Sequence, residues 1–189
     1  MANYNKRIND TLIRIGECRF SYVHVFEPKP TKEGGEAKYG TAILWPKSDK
    51  ALTAMVEEAV AAAKEKGKAT LAKWGGKIPA NCKSPIRDGD TEREDDEAYK
   101  GMYFLNCSSK QKPGVRVLEN GQVVEALGME DFYSGCWGAA TLNFFPYENS
   151  GNKGVGAGLN NVIKTRDDER LAGGSSADAD FGDMGDCLD

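Results

Sequence analysis

The chain has 189 residues, 40% of them apolar, 9% aromatic and 29% charged, with a formal net charge of -4. That is enough apolar matter to bury a core in one domain, and no stretch nears the ~18–20 apolar residues of a membrane span. Five scattered cysteines, Cys18, Cys82, Cys107, Cys136 and Cys187, include no CxxC pair, which argues against a disulfide framework and a structural zinc site and favours a reducing cytoplasm.

The charge is unevenly spread. Residues 171–189 hold five acids and no base, and residues 88–97 hold seven acids against Arg93, which leaves a net +7 on the remainder. A moderately basic body thus carries two acidic appendages.

In chain order, Thr11 to Phe26 is rich in β-branched and aromatic residues and predicts a long strand, with Gly16 as a bulge or bend. A loop with Pro28 and Pro30 follows, then a strand from Tyr39 to Trp45 that stops at Pro46. Ser48 predicts an N-cap for a helix over Asp49 to Lys66, with Leu52, Met55, Val56, Ala59, Val60 and Ala63 on one face and Gly67 as its stop. Residues 67–100 lack periodicity and read as a long, largely irregular insertion. Strands resume at Gly101–Ser109 and Val115–Leu118, and Asn120-Gly121 signals a tight hairpin into Val123-Val124. A last pair runs over Gly135–Tyr147 and Lys153–Thr165. The fold class expected is mainly β with one helix: an OB-fold-like five-stranded antiparallel barrel with long loop insertions. The domain expected is 1–170, and the Gly-, Ser- and Asp-rich segment 171–189 is expected to be a disordered acidic tail.

Motifs for chemistry are scarce. There is one histidine, His24, which reads as a surface or packed strand residue, and no GxSxG, HExxH or Walker loop. Asp88, Asp90 and the neighbouring glutamates have the carboxylate density of a metal-dependent nuclease, but a solvated loop is the simpler reading. No cofactor is expected.

The more informative pattern combines aromatic and basic residues. On the Gly135–Tyr147 strand, Cys136, Gly138, Ala140, Leu142 and Phe144 suit a barrel interior, while Trp137, Phe145 and Tyr147 alternate outward. Such aromatics can stack bases, and Trp74 and Tyr103 join them as stacking candidates. Lys110, Lys112 and Arg116 around one loop, with Lys73, Lys77, Lys83 and Arg87 in the insertion, are the phosphate candidates.

Several segments together resemble a family of single-stranded DNA-binding proteins from tailed phages. They are Arg19-Phe-Ser-Tyr22 with Phe26-Glu-Pro28, Lys38-Tyr39 through Ile43-Leu44-Trp45-Pro46-Lys47, Pro85-Ile-Arg-Asp-Gly-Asp90, Phe132-Tyr-Ser-Gly-Cys136, and Asn152-Lys-Gly-Val155 with Gly158-Leu-Asn-Asn161. The resemblance implies an OB fold and a non-catalytic protein that coats exposed single strands in phage replication, recombination and repair. It also implies a partner-recruiting tail that competes with DNA, carried here by Asp178, Asp180, Phe181, Asp183, Asp186 and Asp189. The partners expected are single-stranded DNA, duplex DNA more weakly, replication or recombination proteins through the tail, and a second copy in a homodimer, with no membrane. The alternatives are the nuclease built on Asp88 and Asp90 and a protein–protein adaptor.

Overall fold

The computed structural model describes residues 4–30 and 34–171. Its strands are β1 (Lys6–Arg7), β2 (Leu12–Pro30), β3 (Ala37–Pro46), β4 (Arg87–Asp88), β5 (Met102–Ser109), β6 (Gly114–Glu119), β7 (Gln122–Glu125), β8 (Trp137–Asn149) and β9 (Asn152–Arg166). A long helix α1 (Lys50–Thr70) follows β3, and a single turn α2 (Gly89–Glu92) follows β4.

Five strands close a barrel in the order β2-β3-β5-β9-β8 and back to β2. All its pairings are antiparallel except the closing one, where β5 meets β9 in parallel at Ser108 and Gly158. This is the OB-like arrangement, with the helix placed between the second and third barrel strands. The nineteen residues of β2 are long enough to serve two neighbours: Leu12–Arg19 pair with β8 and Arg19–Pro30 with β3. The strand coils between them through three register shifts, one around Gly16, one around Tyr22 and one between His24 and Lys29. A Cβ on Gly16 would stand 2.6 Å from the Tyr4 carbonyl carbon, so glycine is needed there for the N-terminal segment to cross.

Alternate residues of each strand fill the interior: Ile13, Ile15, Phe20, Val23 and Val25 from β2, and Gly138, Ala140, Leu142 and Phe144 from β8. Cys18, Cys107 and Cys136 lie inside with free thiols, and burial pushes the thiols up, to about 12 at Cys107 and about 11 at Cys136. The helix plugs the barrel with Leu52, Val56, Ala59, Val60 and Ala63.

Two details of the helix differ from expectation. Asp49, not Ser48, is the N-cap, accepting a 3.0 Å hydrogen bond from the Leu52 amide. Gly67 does not end the helix; it lies buried one turn before the end, where a Cβ would stand 2.5 Å from Trp74 Cζ3 and 2.7 Å from Pro146 Cβ. The glycine is there for a close approach, and the helix ends at Leu71, whose amide bonds the Gly67 carbonyl.

The insertion is largely irregular but firmly attached. A second apolar cluster of Ala42, Leu44, Tyr99, Met102 and Phe104 forms on the outside of the barrel, and the Tyr99 ring stands edge-on to Phe104 at 5.0 Å. No described helix is long and apolar enough to cross a membrane.

Gly67→Ala tests the close approach. In an ordinary helix interior the change adds about 1 kcal/mol of stability; here overpacking against Trp74 and Pro146 should remove roughly 1–3 kcal/mol. Thermal unfolding reads the sign directly: Tm falls, whereas a rise would mean that the Trp74 contact yields at no cost.

Candidate nucleic-acid interface

The pairing registers line up one row of residues across the outside of the barrel. His24 of β2 stands opposite Gly40 of β3, Gly40 opposite Ser108 of β5, Ser108 opposite Gly158 of β9, and Gly158 opposite Asn143 of β8. Neighbours along each strand, such as Val23, Val25, Thr41, Cys107 and Leu159, are buried, so the row faces outward. Its centre is made of Gly40, Ser108 and Gly158, which form a shallow floor. Over the β2–β3–β5 part of it lies a groove of about 330 Å³, lined by Tyr22, His24, Lys29, Lys38, Tyr39 and Asn106 as well as Gly40 and Ser108.

Tyr22 forms one wall and is 49% exposed. Its φ of 49° is a costly backbone state for a bulky residue, and such strain concentrates at functional sites. The Arg93 guanidinium lies 5.3 Å from the Tyr22 ring and 5.6 Å from the Tyr99 ring, tying this wall to the insertion. Lys29 and Lys38 are direct cross-strand partners. Like charges placed opposite one another oppose folding, and no described carboxylate pairs with either lysine. The His24 imidazole is held below its usual range, first by burial and then by the charge of Lys29, so it is neutral at pH 7.

Beyond Gly158 the outer face continues with two residues picked out by alternation along β8. Phe145 is 43% exposed, and its ring lies against Gly156, where a Cβ would be 2.7 Å from Phe145 Cζ. The Tyr147 hydroxyl approaches Gly154, which is bridged in turn to Lys83. Lys83 Nζ donates to Asn152 Oδ1 at 3.0 Å, and Lys73 and Lys77 are exposed nearby in sequence. Phe145, Tyr147 and Lys83 thus extend the face that contains the groove.

Other candidates lie elsewhere or are already engaged. Trp74 is only 2% exposed and packs beneath α1, so it offers no stacking face. Its burial comes from the insertion folding back onto Gly67 and Pro146, contacts distant in sequence. Tyr103 packs on Trp45 with Lys47 above it at 5.2 Å. Trp137 has Arg166 and Arg19 over its ring at 4.6 and 5.9 Å and donates from Nε1 to Asp168 Oδ2 at 2.7 Å. Arg87 is bound to Glu92 and lies over Phe104, Lys110 pairs with Glu36 at 3.0 Å, Arg116 donates to the Val115 carbonyl, and Lys112 is exposed.

The carboxylates of the insertion have structural duties. Asp88 and Asp90 both bind Lys47, Asp90 at 2.6 Å. Asp88 also accepts from the Asp90 amide at the start of α2, and Asp90 accepts from the Gly101 amide at 2.8 Å. Both carboxyls sit below the usual range, chiefly through the hydrogen bond from Lys47. Among the described residues, no group of three or more His, Cys, Asp or Glu side chains is placed to hold a metal ion. The tail residues Asp178, Asp180, Phe181, Asp183, Asp186 and Asp189 lie outside the described residues.

Sequence reasoning passed over Tyr22, His24, Lys29, Lys38 and Tyr39. The signal was present: alternation along β2 puts Val23 and Val25 inside and Tyr22 and His24 outside, the same argument that singled out Phe145.

The geometry agrees with what the chain is similar to. A curated relative, putative protein p50 of Acyrthosiphon pisum secondary endosymbiont phage 1, is 32% identical over 182 residues, spanning 91% of this chain and 93% of the relative. The solved single-stranded DNA-binding protein from bacteriophage Enc34 in complex with single-stranded DNA superposes with a TM-score of 0.78 at 26% identity, covering 91% of this chain and 96% of that one. The single-stranded DNA-binding protein encoded by bacteriophage T7 shares the fold alone, at a TM-score of 0.56 and 17% identity, over 95% and 94% of the two chains. The family described by the single-stranded DNA-binding protein of Enterobacter phage Enc34 matches residues 11–189, and this chain belongs to it.

Proposed function

We propose that this chain binds single-stranded DNA without sequence preference, along the face that runs from Tyr22 and His24 across Ser108 to Phe145 and Tyr147. The observation that carries the reading is the Lys29–Lys38 pair over a floor of small residues. An anion between the two ammonium groups turns a repulsive pair into a bridged one, and a phosphate in the groove is such an anion. Bases stack on Tyr22 and Phe145, whose rings every base can meet with its π-face. The solved Enc34 protein with single-stranded DNA supports the same ligand class. Binding is non-catalytic: Asp88 and Asp90 serve Lys47 and the backbone rather than a reacting centre. The role is to protect and present single strands during phage replication, recombination and repair in the host cytoplasm.

The acidic tail competes with DNA for this groove and recruits replication or recombination partners when displaced. The exit point of the body supports that reading. The amide of Leu171, the last described residue, donates to the Ser134 carbonyl at 2.8 Å, and Ser134 Oγ accepts from the Val23 amide at 3.0 Å, next to Tyr22. The last described residue is thus tied to the strand that carries the groove wall.

Fluorescence anisotropy with a labelled oligo-dT tests the groove. Tyr22→Ala and Phe145→Ala should each weaken binding about 5- to 100-fold, matching ~1–3 kcal/mol per stacked base. Lys29→Met and Lys38→Met should each make the log–log salt slope shallower by roughly 0.7 while leaving the free protein at least as stable; unchanged slopes would place the phosphates elsewhere. Affinity should also rise as pH falls from 7 towards 5.5, because the neutral His24 gains a proton that a bound phosphate stabilises. His24→Gln should flatten that rise, and a rise that persisted in the variant would belong to another group. Deleting residues 172–189 should tighten binding at low salt. A loss of binding on deletion would make the tail part of the site rather than its competitor.

A further inference from the structure

The face that carries DNA leaves one exposed apolar region unused. On the β6–β7 hairpin, Leu118 and Val123 are direct cross-strand partners, 41% and 62% exposed. Leu127 follows on the same alternation at 86%, and Met129 stands on the next turn at 58%. The exposure of Leu127 is built rather than incidental. Its amide donates to Asp131 Oδ2 at 2.8 Å, the Asp131 and Phe132 amides both bond the Gly128 carbonyl, and Phe132 is fully buried in the core.

The hairpin also has an open edge. Among the described residues β7 pairs only with β6. The two-residue turn Asn120-Gly121, with φ of 50° and 77°, makes Glu119 and Gln122 the hydrogen-bonded closing pair. Alternation then turns the backbone N–H and C=O groups of Val123 and Glu125 away from β6, towards the edge. Around this strip stand Glu119, Glu125, Glu130 and Asp131. Two arginines stand nearby, Arg116 directly across from Glu125 and Arg170 over the Tyr133 ring with a bond to the Met129 carbonyl, so four carboxylates face two cations and the strip stays net acidic.

We propose that the β7 edge docks an extended segment of another protein, apolar at alternate positions and carrying lysine or arginine at its ends. Backbone groups of the segment extend the sheet at Val123 and Glu125, its apolar side chains cover Leu118, Val123 and Leu127, and its basic ends meet the glutamates. Charge selects this occupant over the two nearest alternatives. The acidic segment 172–189 brings like charge to like, and a second copy pairing edge to edge brings the same four carboxylates beside the first set. Nucleic acid is repelled for the same reason, and none of the groove-lining residues lies on β6 or β7.

The test uses the full-length, 15N-labelled protein and a synthetic peptide Lys-Ile-Thr-Ile-Thr-Ile-Lys, with Glu-Ile-Thr-Ile-Thr-Ile-Glu as its control. The basic peptide should shift the Val123 and Glu125 amide resonances, with the control at least tenfold weaker. Leu127→Ser should weaken peptide binding at least fivefold, and Val123→Pro, which removes an edge N–H, should abolish it, while both variants keep oligo-dT affinity. Absent or scattered shifts, equal binding of the acidic peptide, or full binding by Leu127→Ser would overturn the proposal. So would a dimer in sedimentation that Leu127→Ser dissolves, or the same amides moving when residues 172–189 are deleted, since these would give the edge to a second copy or to the tail.

Discussion

One pairing closes the barrel. Where Ser108 meets Gly158, a strand order that would otherwise end in two open edges becomes a closed barrel. Closure removes those edges, encloses the apolar face of every barrel strand and brings residues from five strands into register on the outside. The groove follows from that register. The small residues Gly40, Ser108 and Gly158 along this row leave the floor of the groove low.

Local patterns made much of this legible. Alternation along β8 sorted inward from outward residues, the helical spacing of Leu52 through Ala63 marked the plug, and Asn120-Gly121 marked the hairpin. What could not be read locally depended on contacts between distant segments. Gly67 resembles a helix stop until Trp74 and Pro146 are known to press on it, and Trp74 resembles a surface aromatic until the chain is seen to fold back. The turn of Tyr22 into positive φ has no signature in a strand-forming run, since neither glycine nor asparagine marks it. His24 by itself reads as a surface or packed strand residue, and its place in the outward row rests on Gly40, sixteen residues further on.

The charge distribution also changes meaning in three dimensions. A basic body with an acidic insertion suggests a large pool of free cations, but the insertion draws on that pool to hold itself in place. Lys47 is engaged by Asp88 and Asp90, Arg87 by Glu92, and Arg93 by two tyrosine rings. Lys29 and Lys38, set against each other across β2 and β3, have no carboxylate partner among the described residues. Counting charges found the right sign for the body, while pairing decides which of them a phosphate can use.

The place of Arg93 gives the insertion a mechanical meaning. Its guanidinium lies over one ring in the wall of the groove and another in the outer apolar cluster, so the wall has no freedom that the cluster does not share. Tyr22 and the insertion, far apart in sequence, thereby share one cation. The insertion thus borders the groove without lining it: no residue of 67–100 is among the groove-lining side chains, yet Arg93 reaches the wall at Tyr22.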